Sequence, residues 1–351
     1  MKNYRFLLSG YTRRTNKGIH VLDIRVDKSG VEDHSSLLLE LEDPSYLAIS
    51  GDKLFALSSR DRGGVLAYDF DRDGLNAKLI NGVYQLGKAP CHLYFDQQRA
   101  RLYASNYHLG RLDIFGLDKD GLSLVDSVEL EGSGPVSPNQ DGPRCHMALM
   151  APNGQHIMVV NLGGDRVQTY AIDGEGGLRL LASYHTKAGM GPRHLVFSPY
   201  SKYLYLVGEL DSTVEVLSYD ECSGRLVHIN IVSSLPEAYE GLVGNSGAAI
   251  KISNMKNQKG KYNLYVSNRG HDSLSVYEIG DNGDLSLLQN IASGGKNPRD
   301  FALTPDEKYL LVGHQDSDDI VLFKRMDDGS LSLVKKLDSR LDEIVCILPF
   351  D

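Results

Sequence analysis

The sequence predicts an all-β fold, a seven-bladed β-propeller with four antiparallel strands per blade. Three observations carry it. A segment built of an apolar strand, a turn, a second strand, a polar loop and a third strand recurs, as from Ala89 to Gly121, from Gly191 to Asp220 and from Asn297 to Gly329. Matching positions (Tyr46, His92, His146, His194, Ala248 and Asp300) fall about 50 residues apart, the spacing of propeller blades. Apolar residues alternate, as Leu204 and Leu206 or Val214 and Val216 do, and Gly, Asn and Asp close each run, which is strand and turn patterning rather than a helical period.

The four strands are named a to d from the central channel outward. Strand a is read from runs such as HLVF, b from KYLYLV, c from TVEVLSYD and d from RLVHINIV. Turns such as Asp173 to Gly177 and Asp281 to Asp284 join c to d and supply residues that tolerate positive φ. The chain begins one strand late: YRFLLSGYT reads as b, GIHVLDIRV as c and HSSLLLEL as d. The missing strand a is expected at Glu343 to Phe350, so that both ends of the chain close one blade and no sheet edge is left open. Residues 1–351 then form one propeller domain without a linker. The stretch from Ser233 to Gly247 interrupts the period and is a candidate flap over the channel mouth.

The formal net charge of −9 and the lack of Lys/Arg runs argue against nucleic acid as a partner. No apolar stretch is long enough to span a membrane, and the first residues read as a working strand rather than a secretory signal. The four cysteines, Cys91, Cys145, Cys222 and Cys346, form no C-x-x-C pair or zinc spacing. A reduced cytoplasmic setting is expected. Cys91 and Cys145 occupy comparable openings of adjacent blades and are read as small buried thiols.

Antiparallel connection puts the opening of each strand a and each b–c loop at one rim of the channel. The openings carry His92, Arg144, His146, Arg193, His194, Arg299 and Asp300. The b–c loops carry His108, Glu209, Arg269, His271 and His314, so six of the eleven histidines lie at this rim. An acidic protein that gathers His and Arg at one mouth is suited to a small anionic ligand. Asp165, Asp211, Asp272 and Asp316 in the same loops read instead as turn formers that accept backbone N–H bonds.

These segments resemble a known family. GPRHLVFSP (Gly191 to Pro199), GELDSTVEV (Gly208 to Val216), VSNRGHDSLSVY (Val266 to Tyr277) and NPRDFALTPDEKYLLVG (Asn297 to Gly313) are similar to the lactonase family of seven-bladed propellers, which includes 6-phosphogluconolactonases and carboxy-muconate lactonising enzymes. The resemblance implies catalytic roles for His146, Arg193, Glu209 and Arg269, with Arg144, His92, His194, His271 and Arg299 as further substrate-binding candidates. It implies no cofactor and no metal. Many members read PHxH where this chain has Pro143-Arg144-Cys145-His146, so Arg144 replaces a histidine. The activity implied first is hydrolysis of 6-phosphoglucono-1,5-lactone. The alternatives are hydrolysis or cycloisomerisation of another carboxylate or sugar lactone, or a non-catalytic interaction propeller, although Trp is absent and no GH…WD signature appears.

Overall fold

The computed structural model describes residues 2–174, 176–239 and 244–350. It contains seven four-stranded antiparallel sheets. Six are built from consecutive strands. In the remaining blade, the first, the C-terminal strand Ile344–Pro349 is strand a and pairs antiparallel with Lys2–Gly10, which is followed by Gly18–Asp27 and Gly30–Glu40. The closing strand lies where the sequence places it.

Strands a of blades 2 to 7 are Leu47–Ser50, His92–Asp96, Cys145–Met150, Pro192–Phe197, Ser246–Ile252 and Pro298–Leu303. With Ile344–Pro349 they touch one another in a closed ring. The sheets stack face to face around it, and this explains the strand pattern. In strand b of blade 5 (Tyr203–Gly208), Leu204 and Leu206 pack with Met147, Met158 and Val160 of blade 4. Tyr205 and Val207 point the other way and pack with Ile250, Leu264 and Val266 of blade 6. Both faces are therefore buried, and the inner strands read as near-continuous apolar runs rather than the apolar–polar alternation of a sheet with one wet face. Each such buried side chain contributes roughly 1.5–3 kcal/mol, so the ring is held chiefly by apolar contact between blades.

Two of the b–c loop aspartates, read from the sequence as turn formers, instead fasten their blade to the next. Asp165 of blade 4 accepts the Gly189 and Gly191 N–H groups at 2.7 and 2.9 Å, just before strand a of blade 5. Asp272 of blade 6 accepts the Asn297 N–H at 2.8 Å, before strand a of blade 7. Both loops sit where a mispositioned strand a would move the channel mouth. Within 233–247, Leu235 is buried, Glu237–Tyr239 is a single 3-10 turn and Asn245 is buried against the Ser212 hydroxyl at 2.7 Å. The middle of the expected flap, residues 240–243, lies outside the described residues, as does Glu175 of the Asp173 to Gly177 turn.

Candidate active site

Five strands a carry a β-bulge near their opening, and in three of them the extra residue is a histidine or an arginine. Cys145 pairs with Asn161 and Met147 with Val160, which leaves His146 as the extra residue. Arg193 is the extra residue between the Pro192–Gly208 and His194–Val207 pairs, and Arg299 that between Pro298–His314 and Asp300–Gly313. A bulge bends the strand and re-aims one side chain, and here all three line one cavity of about 720 Å³ at the channel mouth. The bulge also corrects the sequence frame. By register, His146 corresponds to Arg193 and Arg299, not to His194 and Asp300, since each of the three is the extra residue of its own bulge.

Glu209 is the hub. Its backbone is held on both sides, its N–H donating to Gly191 O at 2.8 Å and its carbonyl accepting from Gly247 N at 3.2 Å. Gly247 is required for this approach, since a Cβ there would lie 2.4 Å from Gly208 O. The carboxylate lies 2.8 Å from Arg193 Nε and 3.2 Å from Arg269 Nη2. Both are close charge contacts, and the Arg193 Nε–H has no aligned hydrogen-bond acceptor. The guanidinium ends are anchored on backbone: Arg193 Nη1 donates to Ala248 O at 2.8 Å and Arg269 Nη2 to Gly247 O at 3.2 Å. His146 Nε2 stands 3.8 Å from Glu209 Oε2, too far for a direct hydrogen bond and close enough for one water to touch both.

Burial would raise the Glu209 carboxyl, but Arg269 and Arg193 outweigh it and hold it at about 2. Burial lowers Arg193 to about 10, still charged at neutral pH. His146 is pushed well below its ordinary range by burial and by the Arg193 charge, so its imidazole is neutral. Its Nδ1 faces the Cys91 sulfur at 3.9 Å, which leaves Nε2 as the nitrogen toward Glu209. Burial drives the Cys91 thiol up to about 12, so it is no thiolate. All four cysteines are free.

Below this tier the channel is lined by stacked rings. His146 meets His194 edge-on at 5.1 Å between centroids, His194 meets His92 at 5.5 Å, and His92 meets Tyr46 at 4.6 Å. Burial pushes His92 down to about 3 and His194 well below its usual range. The sequence-derived set therefore divides. His146, Arg193, Glu209, Arg269, His194 and Arg299 line the cavity, and His92 lies beneath it against His194. Arg144 and His271 do not line it. Arg144 stacks at 5.3 Å behind the Tyr107 ring, which does, and His271 packs on Tyr239 and bonds the Ser273 hydroxyl at 2.8 Å. Asp211 serves its own turn, accepting the Thr213 N–H, whereas Asp316 accepts the side-chain Asn297 Nδ2 from the loop before strand a of blade 7.

Sequence reasoning passed over Tyr11, Arg13, Arg62 and Lys88, which also line the cavity. Arg13 and Arg62 sit in the b–c loops of blades 1 and 2. The same rim rule would have found them had it been extended to YTRRTN and SRDRG. Among the described residues, no three His, Cys, Asp or Glu side chains converge as a metal site, and no helix is long and apolar enough to cross a membrane.

Comparison with known proteins agrees with this architecture. A family profile described as lactonase, 7-bladed beta-propeller, matches residues 5–349. The chain is similar to a 6-phosphogluconolactonase of Bacillus subtilis, 31% identical over 341 residues and covering 95% of each chain. It is 39% identical over 353 residues to an uncharacterized protein of Lactococcus lactis subsp. cremoris, covering 98% of this chain and 99% of the other. A crystal structure from Lactobacillus plantarum superimposes with a TM-score of 0.92 at 35% identity over 100% of both chains. A periplasmic gluconolactonase of Pseudomonas aeruginosa gives 0.88 at 25% identity, covering 100% of this chain and 99% of the other. The chain belongs to the lactonase family of seven-bladed β-propellers.

Proposed function

We propose that the protein is a lactone hydrolase and that its substrate is 6-phosphoglucono-1,5-lactone, opened to 6-phosphogluconate in the oxidative pentose phosphate pathway. The observation that carries this reading is the cluster of neutral His146, ionised Glu209 and two arginines in a cavity open at the channel mouth. The name of the Bacillus subtilis relative supports the choice of substrate.

In this mechanism a water held between His146 Nε2 and Glu209 Oε2 attacks the lactone carbonyl carbon. His146 Nε2 takes the proton of that water, and the nearby Glu209 carboxylate stabilises the imidazolium that forms. Glu209 itself is too weak a base for this step, since two guanidiniums hold it ionised. The oxyanion develops toward Arg193 and Arg269; Arg269 Nε has no hydrogen-bond partner among the described residues. When the tetrahedral intermediate collapses, the ring C–O bond breaks and His146 returns the proton to the departing oxygen. The product carboxylic acid then releases its remaining proton to solvent, and the carboxylate rests against the two arginines. A cytoplasmic setting belongs to the same reading and rests on the unpaired cysteines. Because one relative is periplasmic, cell fractionation tests it.

The decisive test is turnover of freshly generated 6-phosphoglucono-1,5-lactone, corrected for spontaneous hydrolysis. A rate equal to buffer alone refutes the reading. Unphosphorylated glucono-1,5-lactone and muconolactones are the comparison substrates.

A further inference from the structure

Six cations line the cavity, and they are not equivalent. Arg193 and Arg269 share Glu209, and Arg13 pairs with Glu343 at 3.5 Å. Arg299 donates to the Gln315 amide oxygen at 2.9 Å. Arg62 and Lys88 have no carboxylate or hydrogen-bond partner among the described residues, and both are exposed. Arg62 follows strand b of blade 2 (Lys53–Ser58), and Lys88 lies between strand d of blade 2 (Asn76–Val83) and strand a of blade 3. Around a seven-membered ring this places them across the mouth from Glu209, Arg193 and Arg269, which come from blades 5 and 6.

Their juxtaposition is built rather than incidental. Asp61 and Arg62 both adopt left-handed backbone, with φ of 49° and 69°, a conformation that non-glycine residues seldom adopt. The turn they form abuts the Lys88–Ala89 backbone so closely that a Cβ on Gly63 would lie 2.4 Å from Ala89 N. Backbone bonds lock it there: Gln85 N–H donates to Asp61 O and Leu86 N–H to Gly63 O, each at 3.2 Å. Asn106 Nδ2 caps Lys88 O at 2.9 Å. Strain that persists because its surroundings fix it is a feature to explain, and here it anchors the backbone next to Arg62 against that of Lys88, both of which line the cavity. One acid, Asp43, faces the same arm, but its oxygens accept from the Thr12 N–H at 2.7 Å and the Ser59 hydroxyl at 2.8 Å.

We infer that Arg62 and Lys88 form the phosphate-recognition end of the cavity, so that the site takes a ligand with a lactone or carboxylate at the Glu209 end and a phosphate across the mouth. The inference rests on the lactonase reading and specifies it. The two ends suit a product with two anionic termini. The Arg193–Arg269–Glu209 group carries one net positive charge, matched to a carboxylate, and the unpaired pair carries two, matched to a phosphate. It also moves phosphate recognition away from Arg144 and His271.

The test is a selectivity ratio, kcat/KM for 6-phosphoglucono-1,5-lactone over kcat/KM for glucono-1,5-lactone, in the Arg62→Ala/Lys88→Ala variant. Two lost charge-assisted contacts should lower the ratio by roughly 10- to 100-fold, with an unchanged melting temperature. The wild-type ratio should also fall as salt is raised, a readout independent of any variant. An equal loss on both substrates, an unchanged ratio, or a ratio indifferent to salt overturns the assignment. Binding of 6-phosphogluconate and inorganic phosphate by calorimetry separates this from the lactonase reading. If neither lactone is turned over but both anions bind wild type and not the double variant, the hydrolase reading fails and the subsite stands. If neither anion binds wild type, the subsite fails.

Discussion

Three neutral histidines in the channel should make this propeller sensitive to acid well before its carboxylates titrate. His92, His146 and His194 are only 2%, 5% and 9% exposed, and burial depresses all three, His92 to about 3. In the unfolded chain each returns to the usual value of about 6.5. Below that pH the unfolded state binds protons that the folded state refuses. Stability is therefore fully present above pH 6.5 and is lost as pH falls. His92 alone, held at about 3 in the folded state, removes about 1.4 kcal/mol by pH 5.5 and about 2.7 kcal/mol by pH 4.5, relative to pH 8. His146 and His194 are depressed in the same direction and steepen the loss. Against an ordinary domain stability of about 5–15 kcal/mol, the fall by pH 4.5 is readily measured.

Urea melts at pH 7.5, 6.5, 5.5 and 4.5 measure this directly. The His92→Gln variant supplies the control, because its readout is the slope against pH and not the absolute stability. Its slope below pH 6 should be shallower by about 1.4 kcal/mol per pH unit. Stability that is flat between pH 7.5 and 5.5, or a His92→Gln slope equal to wild type, would mean that these rings protonate in the folded state, and would refute the neutral-channel account.

Further outcomes follow from the same cluster. Glu209→Gln keeps the side-chain shape but leaves Arg193 and Arg269 without their counter-charge. Breaking a buried pair costs about 3–5 kcal/mol, which corresponds to a fall in melting temperature of roughly 4–7 °C for a chain of this length. Calorimetry checks it, and an unchanged Tm would mean that solvent already screens the pair. His146→Gln should lower kcat by about 10²- to 10⁴-fold while leaving 6-phosphogluconate binding largely intact; loss of binding with kcat preserved would remove His146 from the base role. In wild type, the acid limb of kcat/KM should lie well below pH 6.5, because a depressed base stays unprotonated to lower pH; a limb at or above 6.5 contradicts a neutral buried His146.

The fold was legible in the sequence because it rests on repetition. The closing strand at 344–349 and the four-strand unit follow from spacing and residue type, whereas Asp165 and Asp272 read as turn formers and their bonds to the next blade emerge only in the structure. The site was legible only in part. His146, Arg193, Glu209 and Arg269 were found through the rim rule and the family resemblance. The bulges were not, because a bulge leaves the apolar pattern unchanged, and matching histidine to histidine aligned His146 with His194 instead of Arg193. Arg144 and His271 look equivalent to their neighbours in sequence; what separates them is which neighbouring ring each stacks against, Tyr107 or Tyr239, and single-chain patterning does not encode that. Arg62 escaped notice for a related reason. Its significance lies in a left-handed backbone and a glycine contact with the next blade, not in its residue type.

The placement of Glu209 shows how a repeat becomes a site. Seven equivalent loops meet at the mouth, and any one of them could carry a cation. Two arginines from neighbouring blades, both largely buried, repel each other and lose hydration, and a buried charge without a partner is costly. A single carboxylate from the loop of blade 5 resolves both problems, and its backbone is clamped to blade 6 through Gly247. The same carboxylate faces His146 of blade 4. One acidic residue therefore ties three blades together, fixes two oxyanion donors and leaves a neutral base beside a water-sized gap. Across the mouth, Arg62 and Lys88 have no such partner, and solvent exposure makes their charge tolerable until an anion arrives. The contrast between a neutralised end and an unneutralised end, rather than the number of basic residues, gives the cavity a direction in which to hold an asymmetric substrate.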